Sequence, residues 1–286
     1  MQSTRTALRR VLLLGPALTW WVVLLAVPVG LILAYSFFER GAYGGVEYDF
    51  TLANFERASE SLYLGILWFS LRVALEATLI ALLIGYPTAW FIANRSPRWR
   101  TFLLVLVVLP FWTSLLIRTY AWIVLLNNEG LINQSLISMG VLSEPLSLLY
   151  NEFAIVLGLV YGYLPLMVLP LYAAIERLPR EVREASQDLG ASDWRSFLTI
   201  TLPLTRTGIA AGCIFVFVPS LGNFIVPDLL GGGQQQMVGN LIQGQFLDAR
   251  DWPFGATIAL AVIAMMTVVL LIQAWITARA RTEEIA

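Results

Sequence analysis

The residue types that carry most enzyme chemistry are scarce in this chain of 286 residues. It contains no His and a single Cys, Cys213, and all of its basic side chains are Arg. A Ser-His-Asp triad, a Cys-His pair and a Cys/His metal cluster are therefore excluded, as is a disulfide within the chain. The nucleotide-binding pattern G-x-x-x-x-G-K-S/T is also excluded because it requires Lys. The chemistry that remains belongs to Arg, to carboxylates and to aromatic rings.

Charged residues inside apolar stretches are the first candidates for a functional role. Arg72 and Glu76 lie four residues apart, so they share one helix face and favour an ion pair, unless both lie in the hydrated headgroup region. Arg118 follows the apolar run LPFWTSLLI. An Arg at such a position faces a protein interior or a watery cavity. It therefore either binds an anionic group of a substrate or, as we favour, pairs with a carboxylate of another span or subunit.

Pro and Gly interrupt the apolar stretches, most densely in PSLGNFIVPDLLGGG at residues 219–233. Each Pro removes a helical hydrogen bond, and broken helices near a binding site are typical of transporters, although Pro and Gly are common in membrane helices generally. Polar and aromatic residues near such breaks are candidates for a substrate path. They are Asn223, Asp228, Trp112, Tyr120, Trp122 and Tyr161. For any one aromatic residue, packing or an interfacial belt is the favoured alternative.

The elements that position these residues are predicted to be membrane spans. The chain is 58% hydrophobic and 13% charged, whereas soluble domains carry roughly a quarter charged residues. Its net charge of −1 argues against nucleic-acid binding. A span needs about 20 apolar residues, and six segments satisfy this: 11–38, 63–93, 101–126, 152–175, 205–226 and 254–278. We therefore predict an all-α membrane protein with six transmembrane helices in a single domain, residues 1–286, with the fifth span broken at its outer end.

The distribution of Arg orients these spans. The three loops on the side opposite the N-terminus contain only three Arg residues, Arg40, Arg57 and Arg250. Most of the other Arg residues fall in segments on the N-terminal side. Cytoplasmic segments carry the excess of positive charge, so both termini are expected to be cytoplasmic. The first apolar segment is too long for a signal peptide and is expected to be retained as a span.

A polar stretch, EVREASQDLGASDWRSFLTITLPLTR at residues 181–206, separates the fourth and fifth spans. Gly190 can end a first helix in the left-handed conformation, and Ser192 can cap a second one with Asp193 in its first turn. The exposed faces then offer Glu184, Asp188, Leu189 and Trp194 around a sharp turn. Such a rigid projection suits a partner's groove, and an ordinary interfacial loop is the alternative.

The spacing in this stretch resembles the EAA loop of ABC importer permeases. That pattern is E-A-A, three residues, G, nine residues and I-x-L-P. The chain has Glu184-Ala185-Ser186, then Gly190, then Ile200-Thr201-Leu202-Pro203, and Ser186 in place of the second Ala is the one departure. We call residues 176–204 the coupling loop.

The resemblance extends to the spermidine/putrescine subgroup of these permeases, through RTYAWIVLLNNEGLIN, YGYLPLMVLPLYAAI, PSLGNFIVPDLLGGG, MVGNLIQGQFL and DWPFGA. It implies a type I ABC importer permease fold in the bacterial inner membrane. It also implies four partner subunits: a second permease, two ATPases and an extracytoplasmic solute-binding protein. ATP and Mg²⁺ belong to the ATPases, so no cofactor and no enzymatic activity are expected in this chain. The coupling residues would be Glu184, Ala185, Asp188, Leu189, Gly190 and Trp194.

The resemblance implies alternating access with a polyamine as the favoured solute. Position 223 is often acidic in the subgroup and is Asn here, so an amino-acid-like or other small organic solute is an alternative. An ATP-independent channel or carrier, or an interfacial membrane enzyme, is the alternative of a different class.

Overall fold

The computed structural model describes residues 2–283, and α-helices dominate it. The helices are, in chain order, α1 (Gln2–Tyr35), α2 (Ala53–Ala58), α3 (Ser61–Ala93), α4 (Pro97–Val108), α5 (Leu115–Leu126), α6 (Leu131–Ser138), α7 (Glu152–Glu176), α8 (Arg180–Asp188), α9 (Asp193–Ser196), α10 (Leu202–Leu204), α11 (Arg206–Leu221), α12 (Ile225–Leu230), α13 (Val238–Leu247) and α14 (Trp252–Glu283). A 3₁₀ turn at Leu109–Trp112 follows α4, and a π-helical turn at Phe197–Thr201 joins α9 to α10.

Two short strands depart from the all-α prediction. Strands β1 (Phe38–Arg40) and β2 (Val46–Phe50) pair antiparallel, with Phe38 opposite Phe50. The turn between them uses Gly44 at φ +89° and Gly45 at φ +85°, a conformation that residues with a Cβ rarely adopt. The aromatic and β-branched residues around a Gly-Gly pair are the sequence signal for this hairpin, and the prediction overlooked it.

Three described helices are long and apolar enough to cross a membrane by length and composition. They are Ser61–Ala93, Glu152–Glu176 and Trp252–Trp275, which lie within the predicted second, fourth and sixth spans or extend them by a few residues. Two bent pairs raise the number to five if each pair is one span, and Thr19–Tyr35 is a shorter apolar helix. The loops at 127–151 and 227–253 each contain a short helix, α6 and α13 respectively.

The third predicted span, 101–126, is not one continuous helix. Pro97–Trp112 and Leu115–Ser138 meet at an angle of 90°. Pro110 lies in the 3₁₀ turn, and Thr113 is extended at φ −89° and ψ 149°. The Thr113 hydroxyl donates to the Pro110 carbonyl at 2.8 Å. The bend lies beside Pro110 because Pro can kink a helix or end it, and packing around the freed backbone groups decides between the two.

The contacts divide the described residues into two compact units. The first comprises residues 2–64 and 241–264. Within it, the Arg57 guanidinium donates to the Asp251 carboxylate at 2.8 Å and to the Tyr63 hydroxyl at 3.2 Å. The same guanidinium lies 3.8 Å from the centre of the Phe254 ring. Asp251 is almost fully buried and also caps α14 by accepting from the Phe254 N–H. This cluster therefore ties α2 and the start of α3 to the start of α14.

The second unit comprises residues 65–240 and 265–283. Helices α7 and α11 are its most closely packed pair, and small residues explain how they approach. A Cβ added at Gly208 would lie 2.5 Å from the Ala174 Cβ and 2.8 Å from the Pro170 carbonyl oxygen. A Cβ at Gly212 would lie 2.7 Å from the Met167 sulfur. The coupling loop and the broken spans belong to this unit.

Candidate functional site

The coupling loop has the helix–turn–helix form that its caps predict. Helix α8 ends at Asp188, and Gly190 follows it at φ +85°. The N–H of Ala191 donates to the Ser186 carbonyl at 3.0 Å, which closes the turn. Helix α9 then begins, and the Ser192 hydroxyl accepts from the Arg195 N–H at 3.3 Å. Both the glycine stop and the serine cap are therefore confirmed.

The two helices of the loop are joined by a pair of buried hydroxyls. The Ser186 hydroxyl on α8 donates to the Ser196 hydroxyl at the end of α9 at 2.7 Å, and both residues are buried. Ser186 is the residue that departs from the E-A-A pattern. An alanine could not make this bond, so the departure adds a polar link inside the loop.

The predicted coupling residues lie on the outside of this structure. Leu189 is 89% exposed and Trp194 is 68% exposed. The other predicted coupling residues are also exposed: Glu184, Ala185, Asp188 and Gly190. Large apolar side chains that stay exposed are typical of a surface for contact with protein or membrane.

A chain of aromatic rings connects the loop to α3. Trp194 stacks on Phe197 with ring centres 5.5 Å apart, and Phe197 meets the rings of Tyr86 and Trp90 edge-on at 5.5 Å and 6.3 Å. The hydroxyls of Tyr86 and Thr205 share a hydrogen bond of 2.9 Å. The sequence analysis missed this chain because the rings on α3 and in the loop are about a hundred residues apart, and no local spacing signals their contact.

Asn223 stabilises the break at the outer end of the fifth predicted span. Helix α11 ends at Leu221 and α12 begins at Ile225. The Asn223 side-chain oxygen accepts from the Val226 N–H at 2.8 Å, and its nitrogen donates to the Tyr163 hydroxyl at 2.7 Å. Asn223 is buried, and both ends of its amide have partners inside the chain. The predicted break is confirmed, and the amide satisfies backbone and hydroxyl groups that the break leaves open.

Arg118 lies near the same break. Its guanidinium is 5.5 Å from the centre of the Phe111 ring, and its charge acts on the nearby Tyr163 hydroxyl. The Nε and Nη1 atoms are buried and have no hydrogen-bond partner. No carboxylate among the described residues forms an ion pair with Arg118, so pairing with another span of this chain is not found. Arg118 therefore stays a candidate for contact with an anionic group of a solute or of another subunit.

The other candidates for a substrate path are distributed around the bent and broken spans. Trp122 and Tyr161 meet edge-on, with ring centres 5.5 Å apart, and so join α5 to α7. Trp112, at the end of the 3₁₀ turn, is 79% exposed, and Tyr120 on α5 is 56% exposed. Asp228 is exposed in the first turn of α12. The structure therefore places only the first two rings in direct contact.

The predicted ion pair of Arg72 with Glu76 is present at 3.8 Å, but it is the weaker of two. Arg72 Nη2 donates to the Glu152 carboxylate at 2.6 Å. Glu152 begins α7, so this second pair ties α3 to α7. It joins residues 80 positions apart, which explains why the i, i+4 spacing revealed only the first pair.

The fold and the loop define a membrane-embedded permease. Residues 81–282 match the model of the family described as "Binding-protein-dependent transport system inner membrane component", and the chain belongs to this family. It is therefore the permease subunit of an ABC importer and lies in the inner membrane.

Individual relatives cover almost the whole chain. The "Spermidine/putrescine transport system permease protein PotB" of Haemophilus influenzae is 42% identical over 89% of this chain and 89% of the relative. The PotB protein of Escherichia coli K12 is 42% identical over 88% of this chain and 92% of its own length. The "Inner membrane ABC transporter permease protein YdcU" of the same strain is 32% identical over 91% of this chain and 86% of its own length.

Solved structures establish the type I ABC importer permease fold. A bacterial ABC transporter involved in the import of alginate superposes with a TM-score of 0.69 at 18% identity, covering 98% of this chain and 99% of that one. A second structure, of the bacterial alginate transporter in complex with an alginate pentasaccharide-bound periplasmic protein, gives a TM-score of 0.71 at 18% identity and covers 96% of each chain. At this level of identity the likeness extends to the fold alone.

Proposed function

We propose that this permease imports polyamines, spermidine or putrescine, by alternating access driven by partner ATPases. The observation that carries the proposal is the 42% identity to the spermidine/putrescine permeases across nearly the full length of both chains. Exposed Asp228 and the aromatic rings around the broken spans supply the groups that a polycation needs, carboxylates and π faces.

In this proposal, residues 1–286 form one transmembrane domain of six spans with both termini in the cytoplasm. The Arg distribution supports this orientation. Three apolar helices, two bent pairs and the apolar part of α1 supply candidates for the six spans. Cysteine labelling from each side of the membrane, in a Cys213→Ala background, tests the topology. Labelling of a residue in the coupling loop from outside would refute it.

The transporter contains a second permease, two ATPases and an extracytoplasmic solute-binding protein, and this chain contacts the lipid bilayer. The ATPases bind ATP and Mg²⁺, and this chain holds no cofactor and performs no bond chemistry. The exposed residues Glu184, Leu189 and Gly190, with Trp194, dock into a groove of one ATPase. Glu184→Gln should lower ATP-driven uptake while membrane insertion is retained. Full uptake by this variant would remove Glu184 from the coupling residues.

Asn223 stands where the spermidine/putrescine subgroup often has an acidic residue, and this difference bears on the charge of the solute. The two hydrogen bonds of Asn223 give the amide a structural task, so a neutral residue here does not argue against a cationic solute. Arg118 does favour a second candidate, an amino-acid-like solute, because its two unpartnered nitrogens would accommodate a carboxylate of the solute.

Competition for uptake separates the two candidates. Proteoliposomes that contain the complete transporter are given labelled spermidine with unlabelled amino acids as competitors. In a second experiment they are given labelled amino acids with unlabelled spermidine as the competitor. If the solute is a polyamine, Asp228→Asn weakens spermidine uptake and Arg118→Gln does not. If it carries a carboxylate, Arg118→Gln raises the KM for that solute. Uptake that persists with an inactivated ATPase would instead indicate a channel or carrier.

A further inference from the structure

Three helices meet beside the coupling loop, and one guanidinium contacts all of them. Arg100 lies at the end of the first turn of α4. Its Nη1 forms an ion pair with the carboxylate of Glu176, the last residue of α7. Its Nη2 donates to the carbonyl of Ala93, the last residue of α3, at 2.9 Å. The Tyr172 hydroxyl, one turn before Glu176, interacts with both charged groups.

This cluster and the coupling loop line the same cavity. One side of it is formed by Ala93, Arg100 and Glu176, and the other by Val182 of α8 together with Ile200 and Thr201 at the π-helical turn. The Arg100 side chain is 23% exposed and the Glu176 side chain is 40% exposed. The pair is therefore partly open to solvent, and the bond from Arg100 to the Ala93 carbonyl helps to fix its geometry.

The connection from α7 into the loop is short. Residues 177–179 separate Glu176 from the start of α8 at Arg180. A displacement of α8 is therefore passed directly to the end of α7. The aromatic chain through Phe197 gives α3 a second link to the loop, whereas α4 contacts it here through Arg100.

We propose that the Arg100–Glu176 pair is the brace that makes α4 and the end of α3 move together with α7 when the coupling loop is displaced. This role rests on the proposed coupling function. Arg100 and Glu176 are positioning residues: they contact neither ATPase nor solute in this proposal, and they transmit motion between groups that do. Without the brace, α7 can shift while α4 stays, and ATP hydrolysis no longer drives the complete change of access.

The test measures the number of solute molecules transported per ATP hydrolysed by the complete transporter in proteoliposomes, with labelled spermidine as the probe. Arg100→Gln and Glu176→Gln should each lower this ratio by about 2- to 30-fold, the range expected for mutations within a coupling network. ATPase binding by the permease should be unchanged. Arg100→Lys keeps the charge and should retain more of the ratio than Arg100→Gln.

Arg98→Gln is the matched control, because Arg98 lies on the same helix, two residues earlier, and is exposed. An unchanged ratio in both brace variants, or an equal fall in Arg98→Gln, overturns the proposal. If Arg100→Gln fails to assemble, Glu176→Gln decides alone, since Gln keeps the size of the side chain and an acceptor oxygen. Failure of the proposed coupling function would be distinguishable, because wild-type uptake would then be independent of ATP.

Discussion

The turn of the coupling loop depends on one residue that can adopt a left-handed backbone. Gly190 has φ +85°, and a Cβ placed there would have no atom within 4 Å. Gly190→Ala therefore introduces no clash, and its entire effect comes from the backbone. For a residue with a Cβ, this conformation costs about 1–2 kcal/mol. That energy shifts the balance between the native turn and a rearranged one by about 5- to 30-fold.

The consequence is measurable as weaker binding of the ATPase. If only the native turn fits the ATPase groove, the apparent Kd rises in proportion to the loss of native turn, by at most about 5- to 30-fold. Binding of purified ATPase to the detergent-solubilised permease gives the Kd, and ATP-driven uptake gives the functional loss. Gly190→Asn should be milder, because Asn tolerates the left-handed region better than Ala does.

Gly140 offers a matched control in another loop. It has φ +70°, follows α6, and also has no atom within 4 Å of an added Cβ. Gly140→Ala carries a similar backbone penalty but should leave the Kd for the ATPase unchanged. Equal weakening by the two alanine variants, or wild-type affinity in Gly190→Ala, would refute the reasoning.

Three further variants test packing and polar contacts by thermal unfolding in detergent. Ser186→Ala removes the bond to Ser196 and should destabilise the coupling loop by about 0.5–1.5 kcal/mol; equal stability would show that the bond is replaced by water. Gly208→Ala should destabilise by about 1–3 kcal/mol through overpacking, whereas Gly162→Ala, whose Cβ meets its neighbour at 3.7 Å, should be tolerated. Arg57→Met should cost about 1.5–3 kcal/mol because its buried carboxylate partner loses a charged donor; an unchanged melting temperature would contradict this.

The features predicted correctly from sequence depend on local chemistry. Gly190 as a helix stop, Ser192 as a cap and the break near Gly222 each follow from what a few adjacent residues can do with their own backbone. The hairpin at residues 38–50 also has a local signal, the Gly44-Gly45 pair between segments with aromatic residues, although the prediction did not include it.

The features that were missed depend on residues far apart in the chain. Pro110 is visible in the sequence, but the 90° bend beside it is not. Arg72 has a near partner in sequence and a closer one in space, Glu152. The role of Asn223 also required the structure, because its partner Tyr163 lies 60 positions away. Side-chain partners across helices follow from packing, which local spacing does not encode.

The sequence by itself determined that lipid surrounds much of the chain, the class of protein, and the position of the proposed coupling loop. Its apolar content requires lipid, its missing His and Lys exclude the common catalytic and nucleotide sites, and the spacing from Glu184 to Pro203 identifies the coupling loop. Only the tertiary structure decided how that loop is connected to the spans. The rings around Phe197 and the ion pair of Arg100 with Glu176 join elements that the chain separates widely, and such contacts exist only once the helices have packed.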